Sequence, residues 1–259
     1  MNRQPAVAGS FYPENPQQLH QMLKQYLEDV EIIGKVPKAM IVPHAGYIYS
    51  GAIAATAYAR LSKARDLIKR VVIVGPSHRV AFRGLAVSRA EAFATPLGNI
   101  LVDQEAVAAI ALFPFVTHIE QAHTYEHSLE VHLPFLQETL DNFKIVPIVA
   151  GDASAEQVAQ VIEALWGGDE TLIVISSDLS HYHDYATAKQ LDKLTSDMIE
   201  KNQYERLSAE AACGRVPVSG LLKVARDKAL AIKTIDLRSS GDTAGDKSRV
   251  VGYGAYVVE

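Results

Sequence analysis

The sequence predicts an α/β fold: one three-layer α/β/α sandwich spanning residues 1–259, with a mostly parallel or mixed central sheet. Two observations point there. Short, continuously apolar runs such as Ala39-Met40-Ile41-Val42, Val71-Val72-Ile73-Val74 and Leu172-Ile173-Val174-Ile175 suit strands buried on both faces. Stretches of helical periodicity alternate with them through most of the chain. No Gly/Ser linker, low-complexity tract or internal repeat cuts the chain in two.

The elements follow in order. Asn15 caps a first helix that begins at Pro16 and carries Leu19, Met22, Leu23, Tyr26 and Leu27 at helical spacing. Ala39 to Val42 is a short strand that runs into Pro43-His44. Residues 50–61, rich in alanine, predict a helix. Arg70 to Gly75 is a second strand, running into Pro76-Ser77-His78, and 85–88 a third. Residues 104–112 and 126–140 predict helices, the second kinked at Pro134. A strand at 144–149, a helix at 155–165 and a strand at 172–176 come next. Helices at 188–199 and 219–227 and strands at 229–237 and 249–258 close the chain.

Bulk properties narrow the function. A net charge of −5 leaves no basic excess to drive binding to nucleic acid or to anionic lipid. A single cysteine rules out an internal disulfide framework. The start shows no cleavage-like signal, and no apolar run approaches the roughly 18 residues of a membrane span. The cytoplasm is the expected location.

Three strands end alike. His44 follows the first, His78 the second, and Asp178 with His181 the strand at 172–176. Ligands of open α/β sheets sit outside the carboxyl ends of the strands, so these polar tips converge if the strands are parallel neighbours. Two imidazoles and a carboxylate suit a metal of the iron or zinc type. Ser239-Ser240-Gly241-Asp242 offers a further carboxylate. His44, His78 and Asp242 would make a two-histidine, one-carboxylate set with positions open for substrate and dioxygen. Asp178 and His181 would then support the ligands or serve as acid and base. The bland alternative is hydrogen-bonded loop histidines beside an ordinary Ser-Gly-Asp turn.

A second histidine cluster lies in AHTYEHSLEVHLPF. On a helix, His123 and His127 share a face, as do Glu126 and Glu130. The order is not His-Glu-x-x-His, so the metalloprotease pattern is absent. Glu126 and His127, near the helix start, are candidates for a cleft wall, whereas His132 reads as a structural histidine. Cys213 offers thiolate chemistry, but a small buried cysteine is the commoner case and the reading taken here, with Gly214 as a helix C-terminal signal.

The stretches AGSFYP, VPHAGYIYSG, VVIVGPSH, EHSLEVHLPFLQ, SSDLSHY and SGDTAGDKSRVVGYGAY span nearly the whole chain. In them the sequence resembles the Memo family, also called AmmeMemoRadiSam system protein B. That family resembles the class III extradiol dioxygenases of LigB-like fold, which use non-haem Fe(II) to open catechol rings. The resemblance implies metal positions at His44, His78 and the C-terminal loop, with Asp178 and His181 lining the same pocket. Animal members carry a cysteine in that loop, where this sequence has Asp242, with Asp246 as a rival. A carboxylate there favours Fe(II), and a thiolate favours softer ions such as copper; zinc is a further option. The expectation is a metal-dependent oxidoreductase. Its alternative is an adaptor that binds a phosphopeptide or small anion in the same pocket. The ligand would be a small molecule or peptide, and the family name implies a functional link to a radical SAM protein and an AMMECR-type protein.

Overall fold

The computed structural model describes residues 1–259. Its strands are β1 (Asn2–Arg3), β2 (Ala39–Val42), β3 (Arg70–Pro76), β4 (Leu85–Val87), β5 (Ala92–Thr95), β6 (Gly98–Leu101), β7 (Val116–His118), β8 (Lys144–Ala150), β9 (Thr171–Ser176), β10 (His181–His183), β11 (Ile232–Ser239) and β12 (Val250–Val258). Its α-helices are α1 (Pro16–Glu28), α2 (Tyr47–Tyr58), α3 (Gln104–Ile110), α4 (Glu120–Thr124), α5 (Leu133–Thr139), α6 (Ala155–Ala164), α7 (Tyr185–Glu200) and α8 (Arg215–Asp227).

The main sheet runs β10-β12-β2-β9-β3-β8-β4-β7, and β11 pairs with β12 on the outer side. Its centre, β2-β9-β3-β8, is parallel throughout. Antiparallel pairing begins where β12 meets β2 and where β4 meets β8. The sheet is therefore mixed, with helices packed against it. β2 and β9 are buried at every residue, and β3 and β8 at every residue but their first. This explains why these strands are apolar runs rather than alternating ones.

Asn15 caps α1 as its side chain predicts, accepting from the N–H groups of Gln17 and Gln18 at 3.0 Å each. Ser154 and Gln157 form a reciprocal capping box at α6. A second, three-stranded sheet of β1, β5 and β6 was not expected. It joins the N-terminus to a hairpin whose turn is Pro96-Leu97.

One helix prediction fails. Residues 126–140 are not a single helix. α4 ends at Thr124, an irregular turn carries Glu126 to Leu129, and a 3-10 turn at Glu130–His132 leads into α5. The cause is local. The Glu126 carboxylate accepts from the backbone N–H groups of His127 and Ser128 at 3.0 and 2.9 Å, holding the chain in a turn instead of a helix. Pro134 stands in the first turn of α5, where its missing N–H does no harm, and kinks nothing.

Candidate metal centre

Register places the predicted tips together. β2 and β9 pair with Val42 opposite Ser176, and β3 pairs with β9 on the other side. His44, His78 and Asp178 therefore leave adjacent parallel strands at the same end. They line a cavity of about 610 Å3 together with His127, His181, Tyr182 and Cys213.

His44 is buried, and its ring contacts His78 and His127 edge-on, with centroids 5.2 and 5.4 Å apart. His78 and His127 stack at 4.6 Å, and Phe11 from the N-terminal segment covers His127 at 4.9 Å. The His44 Nδ1 meets Ser176 Oγ at 2.6 Å, and its Nε2 faces Cys213 Sγ at 3.4 Å. The His78 Nδ1 meets Glu126 Oε1 at 2.8 Å. In both His44 and His78, Nδ1 is thus engaged at the pocket wall, and the His44 Nε2 meets Cys213.

Burial drives the imidazole of His44 well below its ordinary value, and the neighbouring histidines add to this. Burial also lowers His127 to about 4, against the pull of Glu126. Both rings are neutral at physiological pH, the form that ligates metals. Burial would raise the Glu126 carboxyl, but hydrogen bonds and charge from His78 and the backbone N–H groups outweigh it and hold it at about 2. Asp178 behaves in the opposite way. Burial lifts it to about 7, although its carboxylate accepts the His44 N–H at 2.8 Å. The Cys213 thiol is pushed up to about 12 by burial and by the nearby Asp178.

Cys213 reaches the pocket by tertiary contacts. Its N–H donates to the Asp178 carbonyl at 3.3 Å, its sulfur accepts the Asp178 N–H at 3.3 Å, and the Gly214 N–H donates to Ser177 Oγ at 3.0 Å. Gly214 permits this approach. A Cβ there would lie 2.4 Å from the Ser176 carbonyl oxygen. Gly214 precedes α8 rather than ending a helix, so the C-terminal reading of it is corrected. Cys213 itself is largely enclosed by the protein and in addition lines the cavity.

Asp242 is not brought to the histidines. It does not line their cavity; its carboxylate accepts from the Ser239 N–H at 2.8 Å, from Ser239 Oγ at 3.0 Å and from Tyr185 Oη at 2.6 Å. It closes a capping box around residues 239–242. Asp246 accepts the Ser248 N–H at 2.5 Å within its own turn and is exposed. His181 lines the cavity beside Tyr182, whose φ of +64° is uncommon for a bulky residue.

Two donor sets have ligand atoms within 4.8 Å of one another: His44 with His78 and Cys213, and His78 with Glu126 and His127. The carboxylate of the second already accepts four N–H groups, from His78 twice and from His127 and Ser128. In the first set the His44 Nε2 and Cys213 Sγ engage mainly each other, and the sulfur also accepts the Asp178 N–H. Two imidazoles and a thiol fit a first-row transition metal.

The remaining histidines of the cluster are structural. The His132 Nδ1 meets Tyr58 Oη at 2.9 Å, and the His123 Nε2 meets the Ala86 carbonyl at 3.1 Å. Glu130 is fully buried and serves the N-terminus. It pairs with Arg3 and accepts from the N–H groups of Ala6 and Val7 and from Tyr12 Oη.

A cleft of histidines and one thiol at the carboxyl edge of a mixed α/β sheet defines the class: an α/β protein with a candidate metal-binding pocket. A family model described as Memo-like protein matches residues 3–257. A MEMO1 family protein of Aquifex aeolicus is 38% identical over 97% of both chains. One of Methanosarcina mazei is 40% identical over 99% of both. The chain belongs to the Memo family. Its fold is also similar to that of an uncharacterised protein from Escherichia coli K12, with a TM-score of 0.52 and 14% identity, over 85% of this chain and 98% of that one. That likeness concerns the fold alone.

Proposed function

We propose that the pocket is a transition-metal centre of an oxidoreductase, with the ion held by Nε2 of His44, Nε2 of His78 and Sγ of Cys213. One observation carries this reading: donor atoms of His44, His78 and Cys213, from three separate segments, converge within 4.8 Å at the carboxyl edge of the sheet. When bound, such an ion supplies Lewis acidity and, if it is iron or copper, one-electron chemistry. Fe(II) is the ion we put first, as the dioxygenase resemblance implies. A thiol in place of the expected Asp242 also admits zinc and copper.

The protein's own groups define the rest. Asp178, with its carboxyl lifted to about 7, gives or takes a proton near neutrality. Burial lowers His181, so its imidazole is a neutral base at the cavity wall. Phe11 and Tyr182 supply aromatic surface near the pocket and at its edge. A catechol-like aromatic is the substrate class to screen first.

Anaerobic calorimetry with Fe(II), Cu(I) and Zn(II) tests the centre on wild type and on a His44→Ala, His78→Ala double variant. One-to-one binding that the double variant loses is expected. Unchanged metal uptake in that variant, or no uptake of any of the three by wild type, would overturn it. The second outcome would move attention to anionic peptides as ligands of a metal-free pocket.

A further inference from the structure

The Ser176 hydroxyl has one hydrogen and two close neighbours. It lies 2.6 Å from the Ser128 carbonyl oxygen and 2.6 Å from the His44 Nδ1. A carbonyl oxygen cannot donate, and two bare oxygens do not sit at 2.6 Å without a hydrogen between them. The hydroxyl hydrogen therefore lies on the Ser128 carbonyl. Ser176 Oγ can then only accept from His44, so the proton of the neutral imidazole is on Nδ1. The lone pair is left on Nε2, where it faces Cys213 Sγ at 3.4 Å.

We infer that Ser176 is a positioning residue that fixes the tautomer of His44 and aims its Nε2 lone pair into the pocket. Its value to the metal centre rests on the reading proposed above, whereas the tautomer itself does not. Ser176 and Ser128 show no exposed surface, and His44 is 2% exposed, so water has no ready place in the relay. The relay is also anchored at its far end. The Ser128 Oγ donates to the Pro76 carbonyl at 2.8 Å, and its N–H donates to Glu126 Oε1 at 2.9 Å. Gly75 makes room for it, since a Cβ there would lie 2.7 Å from Ser128 Oγ.

The same turn sets the second imidazole. Glu126 is held ionised and accepts from both the N–H and the Nδ1 of His78 at 2.6 and 2.8 Å. The tripeptide Glu126-His127-Ser128 thus directs two histidines on two different strand ends, one through its carboxylate and one through its carbonyl by way of Ser176. Partners of this kind orient metal-ligating histidines and raise their basicity, and losing one typically weakens metal binding about 10–100-fold.

The test uses long-range 1H–15N correlation spectra of the imidazole nitrogens in the metal-free, full-length protein, followed by titration with Fe(II) and Zn(II). Wild type is expected to show His44 protonated on Nδ1. Ser176→Ala, which keeps no acceptor, should shift His44 toward the Nε2-protonated form and weaken metal binding about 10–100-fold. Ser176→Thr, which keeps the hydroxyl, should restore both. Urea unfolding of each variant shows whether the fold is kept. Finding wild-type His44 protonated on Nε2, or finding the same tautomer in Ser176→Ala as in wild type, would overturn the inference. A wild type with the expected tautomer but no metal uptake would overturn the metal reading alone.

Discussion

His132 is the place where burial makes the firmest quantitative demand. Its ring is 1% exposed, Tyr58 engages Nδ1, and Nε2 has no partner. Desolvation by burial lowers it from 6.5 to about 3. Between those values the unfolded chain binds a proton at this site and the folded chain does not. Stability therefore climbs with pH across this window, is fully present above pH 6.5, and is lost as pH falls toward 3. At pH 5 the gap to the unfolded value is about 1.5 units, or about 2 kcal/mol at 1.36 kcal/mol per unit. His132→Asn keeps a polar atom near the Nδ1 position for Tyr58 and cannot titrate. Urea unfolding of the metal-free proteins at pH 7 and pH 5 isolates the effect, because every other acid-sensitive group is shared. Wild type should lose about 2 kcal/mol more than the variant on this step. Equal losses would refute the assignment of His132 as a buried neutral histidine, as would a titration of its ring near 6.5 by NMR.

Arg3→Ala leaves the Glu130 carboxylate buried without its cation, and about 3–5 kcal/mol should disappear in chemical denaturation; a loss under about 1 kcal/mol would contradict that role. Glu126→Gln removes the charge that holds the His78 Nδ1–H, so calorimetry should show metal affinity about 10–100-fold weaker with the fold retained. Gly214→Ala drives a methyl against the Ser176 carbonyl and should reduce stability by about 1–3 kcal/mol. Since it displaces Cys213, metal affinity should fall in the same protein, and intact affinity would argue that the thiol is not a ligand.

The central strands were readable because burial on both faces demands apolar runs, and their carboxyl ends named His44, His78, Asp178 and His181 as pocket residues. Register in the structure brings those four together. Of the two cleft-wall candidates, His127 lines the cavity, whereas Glu126 is buried outside its lining and meets His78 Nδ1; both were placed on the wrong premise. Helical spacing placed them on a helix, whereas their position comes from a turn that the Glu126 carboxylate itself imposes. Cys213 was set aside as a buried cysteine because nothing local marks it. Its placement comes from contacts with Ser177 and Asp178, more than thirty residues away in sequence. Asp242 was chosen for its charge and its late position, yet its turn consumes that charge internally.

The contrast between Glu126 and Asp242 shows what separates a working carboxylate from a local one. Both sit in tight turns, and both accept backbone N–H groups from within three residues. Asp242 spends its remaining capacity on Tyr185 at the surface. Glu126 directs its remaining capacity across 48 residues to His78, and the same turn reaches Ser176 at the same sequence distance. Long-range hydrogen bonds of this kind, made from one turn, are lost together when the turn moves. The turn at 126–128, the Arg3–Glu130 pair beneath it and the Phe11 ring over His127 therefore form one support for the pocket. Damage to the N-terminal segment should reach the histidines through that support: Arg3 also donates to the carbonyls of His123 and Glu126, the two residues that bracket the start of the turn.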